Sequence, residues 1–144
     1  MTNKNIKLCV SYLAPQQLDL VKSSARRRFI RVLNEYVEDY NLEAKEIIKQ
    51  FNEKKPDGSD KIIDNVPQYT KENRKKADAK FKELNNLNIS INWQGEEKDK
   101  ETIASVLQEE LDKIKSKEKF DDETFEFSQR IEEIITELKQ NENN

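Results

Sequence analysis

The chain has 144 residues, 34% of them hydrophobic and 38% charged, with a net charge of −3. Ordinary globular chains run about 45–50% apolar and about 25% charged, so this composition sits near the disorder border and supplies one thin core at most. There is no histidine, one cysteine (Cys9) and two isolated glycines (Gly58, Gly95), which excludes Ser-His-Asp or Cys-His catalysis within the chain, a thiolate zinc site, a disulfide and glycine-rich phosphate loops.

Taken in order, Ile6–Leu13 alternates like a strand through Ile6, Leu8, Val10 and Tyr12 but also puts Ile6, Cys9, Val10 and Leu13 on one helix face; a short helix is the favoured reading. Cys9, between Leu8 and Val10, reads as a small buried hydrophobe. Pro15 then breaks or restarts the chain. From Leu18 to Lys54 there is neither Pro nor Gly, and Leu18, Val21, Ala25, Phe29, Leu33, Tyr36, Tyr40, Ile47 and Phe51 recur at steps of mostly three and four. That spacing predicts one long amphipathic helix of roughly 50 Å. Its length exceeds the needs of a small core, so either it bends near Asn41 or part of its stripe is left for a partner.

Lys54–Asp60 reads as a turn around Pro56 and Gly58. Ile62–Tyr69 is a β-branched run broken at Pro67, an edge strand if it pairs. Thr70 caps a helix running to about Leu84, with Ala77, Phe81 and Leu84 as a thin stripe on a Lys-rich surface. Asn88–Gly95 alternates, with Ile89, Ile91 and Trp93 on one face, and predicts a strand pairing with Ile62–Tyr69 as a two-stranded ribbon. Two helices close the chain: Glu101–Lys115, with Ile103, Val106, Leu107, Leu111 and Ile114 on one face, and Asp122–Lys139, with Phe127, Ile131, Ile134, Ile135 and Leu138. Asp121 is the expected N-cap of the last helix, with Phe120 and Phe125 as a hydrophobic staple. The predicted fold is therefore mainly α: a long N-terminal amphipathic helix, about three shorter helices and a small two-stranded β-ribbon (α+β). Residues 1–139 form one domain and residues 140–144 a frayed tail. No window reaches the ~20 apolar residues of a membrane span, so a cytoplasmic protein is expected, without membrane, metal or cofactor.

Charge is unevenly spread. Residues 1–31 carry seven basic side chains against Asp19, a net +6, and the remainder sums to −9, basic before residue 32 and acidic after it. On a helix Arg27 and Arg31, four apart, face the same way as Ser23 or Ser24 and make a compact anion-binding surface for phosphate or carboxylate, within a basic cluster that also holds the candidates Arg26 and Arg28. The competing reading pairs these arginines with the chain's own acids, Glu35 one turn on from Arg31 or the acidic C-terminal helices. Glu109-Glu110, Asp121-Asp122-Glu123 and Glu132-Glu133 are interleaved with lysines and read as solvated faces. Tyr36, Tyr40 and Trp93 are the aromatic candidates for a partner contact; for Trp93 the alternative is a core plug.

The order of these features resembles a family of small uncharacterised proteins encoded by phages and prophages of low-GC Gram-positive bacteria. The features are the apolar N-terminal hook, the block Leu18–Leu33 running into an acidic helix, the Pro-Asp-Gly turn, the Asn-Ile-Ser-Ile segment and the closing Phe-x-x-x-x-Phe-x-Phe helix. The most distinctive part is Ser24-Ala25-Arg26-Arg27-Arg28-Phe29-Ile30, which is similar to the family's Ser-x-x-Arg-x-(Lys/Arg)-Phe-Ile pattern; Val21-Lys22-Ser23 departs from the family's glycine-containing turn. The resemblance covers about residues 5–138. It implies a phage setting, in host cytoplasm or on the virion, and supplies no mechanism, since the family has no assigned activity. The expected function is a non-enzymatic phage or prophage accessory protein acting on a phage structural protein or a host protein, with tail assembly as one role and self-association through the long helix as an option. The rivals are an anti-CRISPR-like inhibitor of host defence and a nucleic-acid-binding regulator using Arg26–Arg31.

Overall fold

The computed structural model describes residues 1–140 and orders five helices and one hairpin as α1 (Asn3–Leu13), α2 (Leu20–Phe51), β1 (Ile62–Ile63), β2 (Val66–Pro67), α3 (Lys71–Asn86), α4 (Glu97–Lys115) and α5 (Asp122–Gln140). The architecture is the expected one, mainly helical with a two-stranded ribbon, with four shorter helices around the long one. Of the tail expected to fray, Gln140 closes α5 and residues 141–144 lie outside the described residues.

The ambiguous first segment is a helix. The Thr2 side chain accepts from Asn5 N at its start, and Ile6, Cys9 and Leu13 turn inward at helical spacing. Asp19 caps α2 by accepting from Lys22 N at 2.9 Å, and with no Pro or Gly inside it α2 runs uninterrupted for 32 residues, about 48 Å. Its stripe faces α1 and α4 along the first half, where Ala25, Phe29, Val32 and Leu33 are buried. Helix α3 lies antiparallel along the second half: Asn73 Nδ2 donates to the Phe51 carbonyl at 3.1 Å and Tyr40 Oη donates to Asn85 Oδ1 at 2.7 Å. The helix is continuous through Asn41; Ala44, Ile47, Ile48 and Phe51 are half-buried along the stretch that α3 covers, while Val21 of the same stripe is exposed.

The ribbon has a different composition from the expected one. Asp64 and Asn65 both adopt positive φ (51° and 63°), the geometry of a tight hairpin whose turn twist matches its strands. The run Ile62–Pro67 thus folds onto itself, pairing Ile63 with Val66 and Ile62 with Pro67, and is not available to Asn88–Gly95. That second segment is extended without being a strand. It keeps its predicted alternation, Ile89, Ile91 and Trp93 inward against Ser90 and Asn92 outward, but its only bridge is between Asn88 and Thr2. The hairpin is tied to the end of α2 by buried Asn52, whose Nδ2 donates to the Glu53 and Lys61 carbonyls and whose Oδ1 accepts from Gln68 N at 2.9 Å.

Gln94 and Gly95, both at positive φ, turn the chain into α4, which starts four residues before the predicted Glu101. At α5 the N-cap and staple take their predicted form: Thr124 N donates to Asp121 Oδ1 at 2.8 Å, holding that carboxyl below the usual carboxylate range, and the Phe120 and Phe125 rings stack at 6.2 Å. The core is built by α1, α2, α4 and α5 around Phe29, Leu33, Ile103, Leu107, Ile131, Ile134 and Leu138, all fully buried; each such side chain contributes about 1.5–3 kcal/mol of gross burial. Cys9 sits in this core, where burial pushes its thiol up to about 12, as its neighbours Leu8 and Val10 suggest. No helix among the described residues is long and apolar enough to cross a membrane.

Candidate functional site

The four arginines of the basic block leave α2 in different directions, because successive helical positions are about 100° apart. Arg28 points at the first turn of α4 and forms a two-pronged pair with Asp99, Nε to Oδ2 and Nη2 to Oδ1, each at 2.8 Å. Its Nε also lies 3.5 Å from Glu96, and Arg31 Nη2 reaches the other oxygen of Glu96 at 3.1 Å. The Asp99 side chain is only 6% exposed, and the hydrogen bonds from Arg28, opposed by the cost of burial, hold its carboxyl below the usual range while raising the Arg28 guanidinium. Arg26 folds back over the α1–α2 connection, donating to the Leu13 carbonyl at 3.3 Å, to the Gln16 carbonyl and to Ser23 Oγ at 3.0 Å. Internal pairing thus accounts for Arg28 and holds Arg31 at one end, with Glu96 and Asp99 as the acids; Glu35, the acid expected for Arg31, accepts instead from Gln94 Nε2 at 3.4 Å.

Arg27 forms no ion pair among the described residues and is exposed, and Arg31 remains 68% exposed despite its contact with Glu96. Together they line a shallow groove of about 610 Å³ on the outer face of α2, with Ala14 and Ile30 as apolar wall and Glu35 and Glu38 one and two turns further on. The groove carries both signs of charge in a fixed order.

The three candidate aromatics are engaged inside the molecule. Trp93 is buried and stacks on Phe29 at 5.1 Å, with Lys100 Nζ 5.5 Å from its ring centroid, so it serves as the core plug. Tyr36 Oη accepts from Asn92 N at 2.8 Å. Tyr40, also buried, carries Lys7 Nζ 4.0 Å above its ring besides donating to Asn85.

Several polar residues that organise the molecule carried no sequence signal. Asn5, buried in α1, links to α5 through Glu133 (3.2 Å) and Arg130 (3.4 Å). Asp99 is one acid among many in Glu96–Glu101 and is distinguished only by its place opposite Arg28. Helix α3 is a second basic element, with six basic and three acidic side chains, within a stretch (residues 32–86) that sums to −1; the strongly acidic part of the chain, −8, lies beyond it. Among the described residues no three metal-ligating side chains come together. The chain matches no family model, no curated protein and no solved structure.

Proposed function

We propose that this chain is a non-enzymatic phage or prophage accessory protein that works by protein–protein contact, with tail assembly as its setting and the outer groove of α2 as its contact surface. The observation that carries this reading is the mixed charge of that groove. A phosphate backbone is recognised by unopposed cations, whereas here Glu35 and Glu38 stand in line with Arg27 and Arg31, and Arg28 is committed to Asp99. Along α2 the groove sets Arg27, Ile30 and Arg31 ahead of Glu35 and Glu38, and a row of cations followed by anions is complementary to a protein surface of the opposite order. The lack of histidine and of paired cysteines supports a binding role over catalysis, and the resemblance of Ser24–Ile30 to the phage family supports the setting.

The test is affinity purification from infected or lysogenic cells with the wild-type chain and with Arg27→Glu. Arg27 makes no ion pair among the described residues, so the variant folds with an unchanged circular dichroism melt. The expected result is capture of phage tail components by wild type and their loss in the variant. Capture of a host nuclease, lost in the same variant, would transfer the groove to an anti-defence role. A gel shift on DNA or RNA that weakens steeply with salt and disappears in Arg27→Glu would replace the protein partner with nucleic acid.

A further inference from the structure

Three helices contribute to a shallow pocket of about 350 Å³: α1 through Lys4, Lys7, Leu8 and Ser11, α3 through Asn85 and α5 through Arg130. Three of these side chains are cationic and none is acidic. Among the described residues no carboxylate forms an ion pair with Lys4, Lys7 or Arg130, although α5 holds six acids. Glu133, one turn on from Arg130, is bonded to Asn5 Nδ2 at 3.2 Å and does not line the pocket. Glu137 is paired with the Met1 ammonium at 3.1 Å. Most of the donors are also held in place. Arg130 Nη2 donates to the Lys4 carbonyl at 2.9 Å and its Nε to Asn5 Oδ1 at 3.4 Å, which leaves Nη1 without a partner among the described residues. Lys7 Nζ rests 4.0 Å from the Tyr40 ring centroid. The hydroxyl of the same Tyr40 donates to Asn85 Oδ1 at 2.7 Å, so Nδ2 is the free end of that amide. Ser11 Oγ is turned to the Leu8 carbonyl at 3.2 Å.

We propose that this pocket binds a phosphate dianion, as free phosphate or as the phosphomonoester of a small molecule. Arg130 supplies guanidinium N–H groups and the two lysines supply point charges, the pair of cation types that recognises phosphate oxygens; Asn85 Nδ2 adds a neutral donor. Like charges gathered without an acid repel one another, and a dianion relieves that repulsion more fully than a single carboxylate. Because Arg130, Lys7 and Asn85 are positioned by contacts within the protein, binding costs little side-chain ordering. Tyr40 acts here as a positioning residue, orienting Lys7 with its ring and Asn85 with its hydroxyl. Nucleic acid fits less well, since its backbone is met by cations spaced along a track, whereas these come from separate helices to one pocket. The volume lies at the small end of ligand pockets, which run about 300–1,000 Å³, and leaves room beside Leu8 for the remainder of a small monoester. The pocket is separate from the α2 groove, and the inference stands independently of the function proposed above.

The experiment is a titration of the ¹⁵N-labelled full chain with sodium phosphate and with glycerol 3-phosphate, each against sodium chloride at matched ionic strength. The expected result is a saturable set of amide shifts concentrated at Lys4–Ser11, Asn85 and Arg130 with both phosphates and absent with chloride. Tighter binding of glycerol 3-phosphate assigns the pocket to a monoester, and equal binding assigns it to phosphate itself. Lys7→Gln, at an exposed position, and Lys4→Gln each weaken binding about tenfold through loss of one charge-assisted hydrogen bond, while their spectra stay dispersed in phosphate-free buffer. Addition of phosphate raises the melting temperature of the wild-type chain and not that of the double variant, because a ligand that binds the folded state alone stabilises it. Shifts reproduced by chloride would overturn the inference, as would affinities unchanged in both variants or shifts centred on Arg27 and Arg31. Affinity that climbs with length across a series of oligothymidylates, with no saturable binding of either small phosphate, would replace the pocket ligand with nucleic acid.

Discussion

Asp99 shows how a charge-rich chain fixes the geometry of its helices. Its carboxylate meets Arg28 through two 2.8 Å bonds at the point where α4 begins to pack on α2. Because Arg28 holds the Asp99 pKa below that of an unfolded aspartate, near 3.9, the pair stabilises the fold above that pH. The contribution is lost as pH falls through the depressed folded value. Asp99→Asn is therefore expected to lower the melting temperature at pH 7 by a few degrees and to flatten the fall in stability below about pH 4. Circular dichroism melts of both proteins from pH 7 to pH 2 check this; parallel curves would mean the pair is energetically silent. Which acid would hold Arg28 was not legible in the sequence. Glu96, Glu97, Asp99 and Glu101 are equivalent until Gln94 and Gly95 turn the chain and set the phase of α4. The burial of Cys9 was legible because both of its neighbours are apolar. The roles of Asn5 and Asn52 were not, because an asparagine buried for its hydrogen bonds has the same letter as one in a surface turn.

At the scale of elements, the pairing of α3 with the second half of α2 decides what the long helix offers to the outside. Ala77 is buried against it, small enough for the two helices to approach. Ala77→Asp places a charge in that seam, and an unpaired buried charge costs about 3 kcal/mol or more. The expected result is loss of amide-exchange protection in residues 71–86 and 44–51, while Ile103 and Ile134 in the main core stay protected. Uniform loss would show that α3 and the core unfold as one unit. The hairpin gives a second check. Asn65 at φ 63° tolerates glycine and resists a β-branched residue, so Asn65→Gly preserves the melt and Asn65→Val lowers it by about 1 kcal/mol or more. Helical periodicity made four of the helices readable and left Ile6–Leu13 open between helix and strand with a helix favoured, and the cap residues Thr70 and Asp121 located two of the starts. The ribbon was misread because alternation in Asn88–Trp93 reports burial on one side rather than pairing. The turn at Asp64-Asn65 was overlooked in favour of the more conspicuous Pro67.

For the molecule as a whole, the sparse apolar content is concentrated in one core, and the outer face of α2 is left polar apart from residues such as Leu20 and Leu42. The charge is ordered along the chain, +5 through α3 and −8 beyond it. The division of charge at residue 32, +6 before and −9 after, was visible in the sequence; the local basic character of α3 beyond it was not singled out. The account stands or falls on the claim that the stripe of the long helix from Ala25 to Phe51 is covered within one molecule, leaving mostly polar surface for partners. Light scattering over a range of protein concentrations measures this directly. A constant mass near 17.0 kDa is the predicted result; a dimer that persists on dilution and dissociates when the α2 stripe is substituted at Ile47 would contradict it.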